Sequence, residues 1–172
     1  MPSPPRGQPT SEKSVDTNDY TRRIRYALKI DDADAVRLIQ LGGESATLED
    51  VRAWRQKEGH EEHSPCPEPK LLAFLNGLVI ERRGPAPVSP YRKPKSAERF
   101  DNNTVLKQLR IALTLRTDDV YDAIQAGGGR LGKTEVSAFF RNSDARNYRR
   151  CGDQVMRWFL AGITSSRDAE ES

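Results

Sequence analysis

Apolar residues recur along this chain at the spacing of an amphipathic helix, and they do so in two matching sets. Tyr20, Ile24, Ala27 and Leu28 form one stripe at i, i+4, i+7 and i+8; Val105, Leu109, Ala112 and Leu113 form its counterpart. Asn18 and Asn103 stand at the start of these stripes, where an N-cap side chain would satisfy an orphan backbone donor for about 1 kcal/mol. A second helix is predicted over 33–41 and again over 118–126. Each ends in a glycine pair, because glycine enters the left-handed region cheaply.

Thr47 followed by Asp50 reads as a capping-box-like start to a third helix. Leu48, Val51 and Trp54 would line its buried face, with Val136, Phe139 and Phe140 doing the same in the second set. The fourth helix follows the cysteine of each set and is the most apolar, with Leu71, Phe74, Leu75 and Leu78 along one side. Gly77 and Gly162 lie inside it, at a cost of about 1 kcal/mol relative to alanine. A glycine at the same place in both sets predicts that another helix packs closely there.

The two sets are one sequence written twice. Laying Asn18 on Asn103 aligns the chain on itself without a gap. Arg25, Ala27 and Leu28 then fall on Arg110, Ala112 and Leu113, Cys66 on Cys151, and Phe74, Leu75 and Gly77 on Phe159, Leu160 and Gly162. About a quarter of the aligned positions are identical, which points to an internal duplication. The fold class expected is all-α: two tandem four-helix repeats of one small unit, joined by a Pro-rich linker. The boundaries expected are a disordered N-terminal tail at 1–17, helical repeats at 18–84 and 102–168, a basic Pro-rich linker at 85–101, and an acidic tail at 169–172.

Composition adds limits rather than a function. The chain has 172 residues, 35% hydrophobic and 31% charged, with a net charge of +3. No stretch approaches the roughly 20 apolar residues of a membrane span, and the N-terminus lacks the apolar run of a secretory signal. Cys66 and Cys151 are too few for a disulfide framework, so a cytoplasmic setting is expected. The mild positive charge permits nucleic-acid contact without requiring it.

Two motifs suggest chemistry and are argued down by the repeat. Residues 127 to 134, GGGRLGKT, satisfy the phosphate-loop pattern, with Gly127, Gly132, Lys133 and Thr134 at its defining places. A phosphate loop needs a strand to deliver it to a helix N-terminus. Here the preceding DDVYDAIQA has helical spacing, and the first copy reads GGESATLE without the lysine. The glycines are therefore read as a helix stop, and no nucleotide hydrolysis is expected.

GHEEHSPC places His60, His63 and Cys66 at three-residue intervals, but a structural zinc site needs four ligands, and the second copy keeps only the cysteine. No metal, no cofactor and no catalytic residue is expected. Both cysteines precede a helix, where a thiol can be activated; a buried structural role is the favoured reading.

At NNTVLKQLRIALTLRTDD and NYRRCGDQVMRWFLAGI in the second copy, and at RYAL, CP and FLNGL in the first, the chain resembles the YehS-like family of bacterial proteins. That family carries two tandem copies of a domain of unknown function, and the resemblance spans about residues 18 to 168. It implies the duplicated architecture. It implies no catalytic residues, and neither the phosphate-loop lysine nor the paired histidines belong to the family pattern.

The expected function is non-enzymatic binding, and the residues leave two kinds of partner open. RNSDARNYRR, residues 141 to 150, interleaves arginines with a tyrosine and asparagines, which suits phosphate contact with base stacking on RNA or DNA. Arg146, Tyr148, Arg149 and Arg150, with Arg110 beside them, are the candidate binding residues. The alternative is an adaptor that holds another protein in a groove between the repeats. The oligomeric state stays open.

Overall fold

In the computed structural model, which describes residues 15–84 and 100–171, every regular element is an α-helix. The first copy supplies α1 (Thr17–Leu28), α2 (Asp32–Leu41), α3 (Leu48–Arg55) and α4 (Glu68–Arg83). The second supplies α5 (Asn102–Ala112), α6 (Thr117–Ala126), α7 (Lys133–Ala138) and α8 (Asp153–Glu171). The expected N-terminal tail and basic linker lie outside the described residues except at their inner ends. There, Val15 is buried and Phe100 packs against the core. Residues 169–171, expected as an acidic tail, continue α8.

The caps correct one expectation. Asp16 and Asp101 cap α1 and α5, their carboxylates accepting the amides of Asp19 (3.0 Å) and Thr104 (2.9 Å). Asn18 and Asn103 sit inside the first turn and turn instead toward the chain that precedes α4 and α8. Asn103 Nδ2 donates to the carbonyls of Phe139 (3.0 Å) and Arg149 (2.9 Å), and its Oδ1 accepts the Cys151 amide (2.9 Å). Asn18 makes the same clasp to Trp54, Ser64 and Cys66. Thr47 and Asp50 do form the reciprocal capping box of α3. Leu48 is a second correction: as the first residue of α3 it faces solvent, while Val51 and Trp54 are buried.

Within each copy, α2 crosses α4 and α6 crosses α8 at backbone distance, and glycine permits it. A Cβ on Gly77 would lie 1.9 Å from the Leu38 carbonyl oxygen, and one on Gly42 1.8 Å from that of Ala73. The second copy repeats the arrangement with Gly162 against Ala123 and Gly127 against Trp158. The second glycine of each pair does the other work: Gly43 (φ 97°) and Gly128 (φ 101°) take the left-handed conformation that ends the helix.

The copies are packed into each other. Helix α1 lies on α8 and α4 lies on α5, so each copy's outer helices cover the other's. Tyr20 of α1 donates to Asp153 of α8 (2.8 Å), and Lys29 at the far end pairs with Glu171, so the two helices run in the same sense. Tyr20, Ile24, Phe74 and Leu75 join Leu106, Leu109, Met156 and Phe159 in one continuous core. Burying each such side chain contributes roughly 1.5–3 kcal/mol. Exchanging the copies maps one seam onto the other, as in a two-fold dimer whose subunits share a chain.

Candidate binding surfaces

The residues singled out in 141–150 follow α7 and lead to Cys151. Arg146, Arg149 and Arg150 are exposed, and Tyr148 is half-buried. Arg149 pairs with Glu135 (2.9 Å), while its amide donates to the Ala138 carbonyl (3.2 Å) and its carbonyl accepts from Asn103. Burial, then the nearby Asp101 charge, raises the Tyr148 hydroxyl above its ordinary pKa. Arg110 reaches the base of the same loop: its Nε donates to the Leu115 carbonyl (3.2 Å) and its guanidinium stacks 4.5 Å from the ring centroid of Phe140, the residue before Arg141. Arg149 and Arg150 thus lie together in one loop, and Arg110 braces the turn after α5 against the residue that begins that loop.

The earlier lures resolve into local structure. The phosphate-loop string lies between two helices, α6 and the short α7, with Gly132 as the α7 N-cap. Lys133 pairs with Asp118 (3.9 Å) and lies 5.4 Å from the Tyr121 ring centroid. His60 accepts the Glu62 amide (3.1 Å), and His63 lies beside Asn18. Both cysteines are free and buried. Burial raises the Cys66 thiol to about 11. Burial, reinforced by the charges of Asp101 and Asp153, raises Cys151 to about 12. Helix-dipole activation is overridden by desolvation, which disfavours the thiolate.

A different surface emerges where the copies meet. Tyr26 stands on α1 with 69% of its area exposed, the most exposed of the large hydrophobic side chains in the described residues. To one side of it runs a groove of about 420 Å³, walled by Asp19, Arg22 and Arg23 of α1 and floored by Leu160, Ala161 and Thr164 of α8. To the other side is a hollow of about 570 Å³ lined by Arg22, Arg25, Lys29, Ile30, Asp31, Arg55 and Arg167. None of the five residues chosen from sequence lines either one.

The cations around Tyr26 are of two kinds. Arg25 is buried and structural: its Nε donates to the Ile30 carbonyl (3.1 Å) and it pairs with Asp32 at 2.6 Å. Burial pushes the Asp32 carboxyl up, but the Arg25 hydrogen bond and the charges of Arg25, Arg55 and Arg52 outweigh it and leave the pKa below its ordinary value. In the other pairs the cation is exposed: Arg23 with Asp19 (2.9 Å), Lys29 with Glu171, Arg55 with Asp32 (3.5 Å). Such pairs contribute only about 0–1 kcal/mol each, so exchanging one for a ligand phosphate costs little. Arg167 bridges the seam, donating to the Ala27 carbonyl (3.0 Å) with its guanidinium 5.5 Å from the Tyr26 ring centroid.

The sequence reading missed Tyr26, which it had no reason to separate from the helix face. The signal available was the odd placement of an aromatic residue at 26, where the second copy has Ile111.

The family described as "Protein of unknown function (DUF1456)" matches residues 17–84 and again residues 102–167. The "Uncharacterized protein YehS" of Escherichia coli (strain K12) is 39% identical over 155 residues, which is 90% of this chain and 98% of that relative. No solved structure matches. No helix among the described residues is long and apolar enough to cross a membrane.

Proposed function

This chain belongs to the DUF1456 family, carrying its domain twice, and we propose that it is a non-enzymatic, cytoplasmic binding protein whose ligand is nucleic acid. The observation that carries this reading is the exposed Tyr26 ring set among Arg22, Arg23, Lys29, Arg55 and Arg167. An aromatic face flanked by cations suits a base against the ring and phosphates against the guanidinium and ammonium groups. The arginines at 146, 149 and 150 with Tyr148 form a second basic surface, available to a longer strand.

One observation favours the adaptor reading instead. The groove floor at Leu160 and Ala161 is apolar, and an apolar floor with a charged rim also suits a protein segment. Salt separates the two. Titration of nuclease-treated protein against fluorescent RNA and DNA, single- and double-stranded, should give micromolar or tighter binding that weakens steeply between about 50 and 200 mM salt. Absence of binding at the lower salt removes the nucleic-acid reading and leaves the adaptor.

A further inference from the structure

The duplication supplies an internal comparison for the groove, because the two seams between the copies are built from equivalent positions. In the α4–α5 seam the equivalents of Arg23 and Ala161 are Gln108 and Asn76. Gln108 is 1% exposed and donates through Nε2 to Asn76 Oδ1 at 2.8 Å, and Val79 beside them is buried. That seam is closed. In the α1–α8 seam the same places hold Arg23, Ala161 and Thr164, and both Arg23 and Ala161 are exposed. An alanine replaces the side chain that fills the gap, and an arginine points outward where a glutamine points in. The same substitution pattern puts Tyr26 where the closed seam has Ile111.

Resting on the nucleic-acid reading above, we propose that the open α1–α8 seam is a groove for single-stranded nucleic acid, with one base stacked on Tyr26. A duplex covers the faces of its bases and offers only edges and phosphates, so a largely exposed ring beside a groove, backed by the Arg167 guanidinium, suits an unpaired base. Phosphates on either side of the stacked base would meet Arg22 and Arg23 in one direction and Lys29 in the other.

The test uses the full-length protein and a fluorescein-labelled mixed-sequence RNA of about 12 nucleotides, single-stranded or annealed to its complement. Single strand is expected to bind at least tenfold more tightly than duplex. Tyr26→Ala should weaken single-strand binding by about tenfold or more with the salt slope unchanged, because stacking carries no counterion release. Tyr26→Phe should stay within about twofold of the parent. Arg22→Glu should reduce the salt slope. A variant that copies the closed seam, Arg23→Gln with Tyr26→Ile, Ala161→Asn and Thr164→Val, should lose binding while keeping its helical circular dichroism.

Parental affinity in Tyr26→Ala, or equal affinity for duplex, overturns the proposal. If binding is then lost on charge reversal at Arg149 and Arg150, nucleic-acid binding survives and the site moves to the 141–150 loop. If the parent binds neither probe at low salt, the broader reading fails with it.

Discussion

Replacing Gly77 by alanine sets helix propensity against packing, and the two predict opposite signs. Gly77 lies inside α4, where alanine is favoured over glycine by about 1 kcal/mol. Its added Cβ, however, would stand 1.9 Å from the Leu38 carbonyl oxygen, whereas ordinary contact begins at 3.4 Å. The obstacle is backbone and cannot rotate away. Helices α2 and α4 must separate by roughly 1.5 Å, which loosens Leu38, Phe74 and Leu75, each 1% exposed.

Overpacking of this kind costs about 1–3 kcal/mol and more where backbone must move. Because the obstacle here is backbone, the cost lies at the upper end, and net of the helix gain Gly77→Ala should lose about 2 kcal/mol or more. Gly162→Ala, meeting the Ala123 carbonyl at 1.8 Å, should do the same in the second copy. Gly132→Ala is the control: nothing lies within 4 Å of its Cβ and its φ is −78°, so the change should stay under about 1 kcal/mol. Urea unfolding followed by tryptophan fluorescence reads all of these as shifts in midpoint. A Gly77→Ala protein as stable as its parent would refute the close crossing of α2 and α4.

Other outcomes follow from the same packing. Asn103→Ala removes the shared partner of two carbonyls and one amide, and should cost about 3 kcal/mol in the same assay; a loss below 1 kcal/mol would mean that the clasp is dispensable. The two thiols should resist iodoacetamide at pH 8 in the folded protein and react on unfolding, since burial raises them to about 11 and 12. Their contribution to stability is full below about pH 9, where both states hold the proton. It declines as pH rises toward 11–12, because the unfolded thiols ionise first, and a stability flat from pH 8 to 11 would contradict this. A fragment of residues 1–84 should not fold as a cooperative monomer, because α1 and α4 would lose the α8 and α5 surfaces that cover them. Sedimentation and denaturation of that fragment check it, and a stable monomer would show that the shared core is unnecessary.

Much of the architecture was legible in the sequence. The helical stripes at Tyr20–Leu28 and Val105–Leu113, the capping box at Thr47 and the glycines at 77 and 162 are local or periodic signals, and each appears in the structure as a helix face, a cap or a close crossing. Asn18 and Asn103 show where local reasoning stops. A short polar side chain at a helix start suits an N-cap, and only the position of the pre-cysteine loop shows that these two reach across to it. Leu48 misled for a similar reason: its spacing matched the buried face, but as the first residue of α3 it is 43% exposed.

The pairing of helices was beyond the sequence altogether. Periodicity marks the face that α1 must bury, and that face would be equally hidden by its own α4 or by α8 of the other copy. The sequence by itself determined the helices, their duplication and the glycines that let them cross. The tertiary structure decided that the copies exchange partners across two seams, one closed by Gln108 and Asn76, the other left open beside Tyr26. Burial patterns record whether a side chain leaves water, while the identity of what covers it is a property of two distant segments meeting, and no single stretch of chain encodes that.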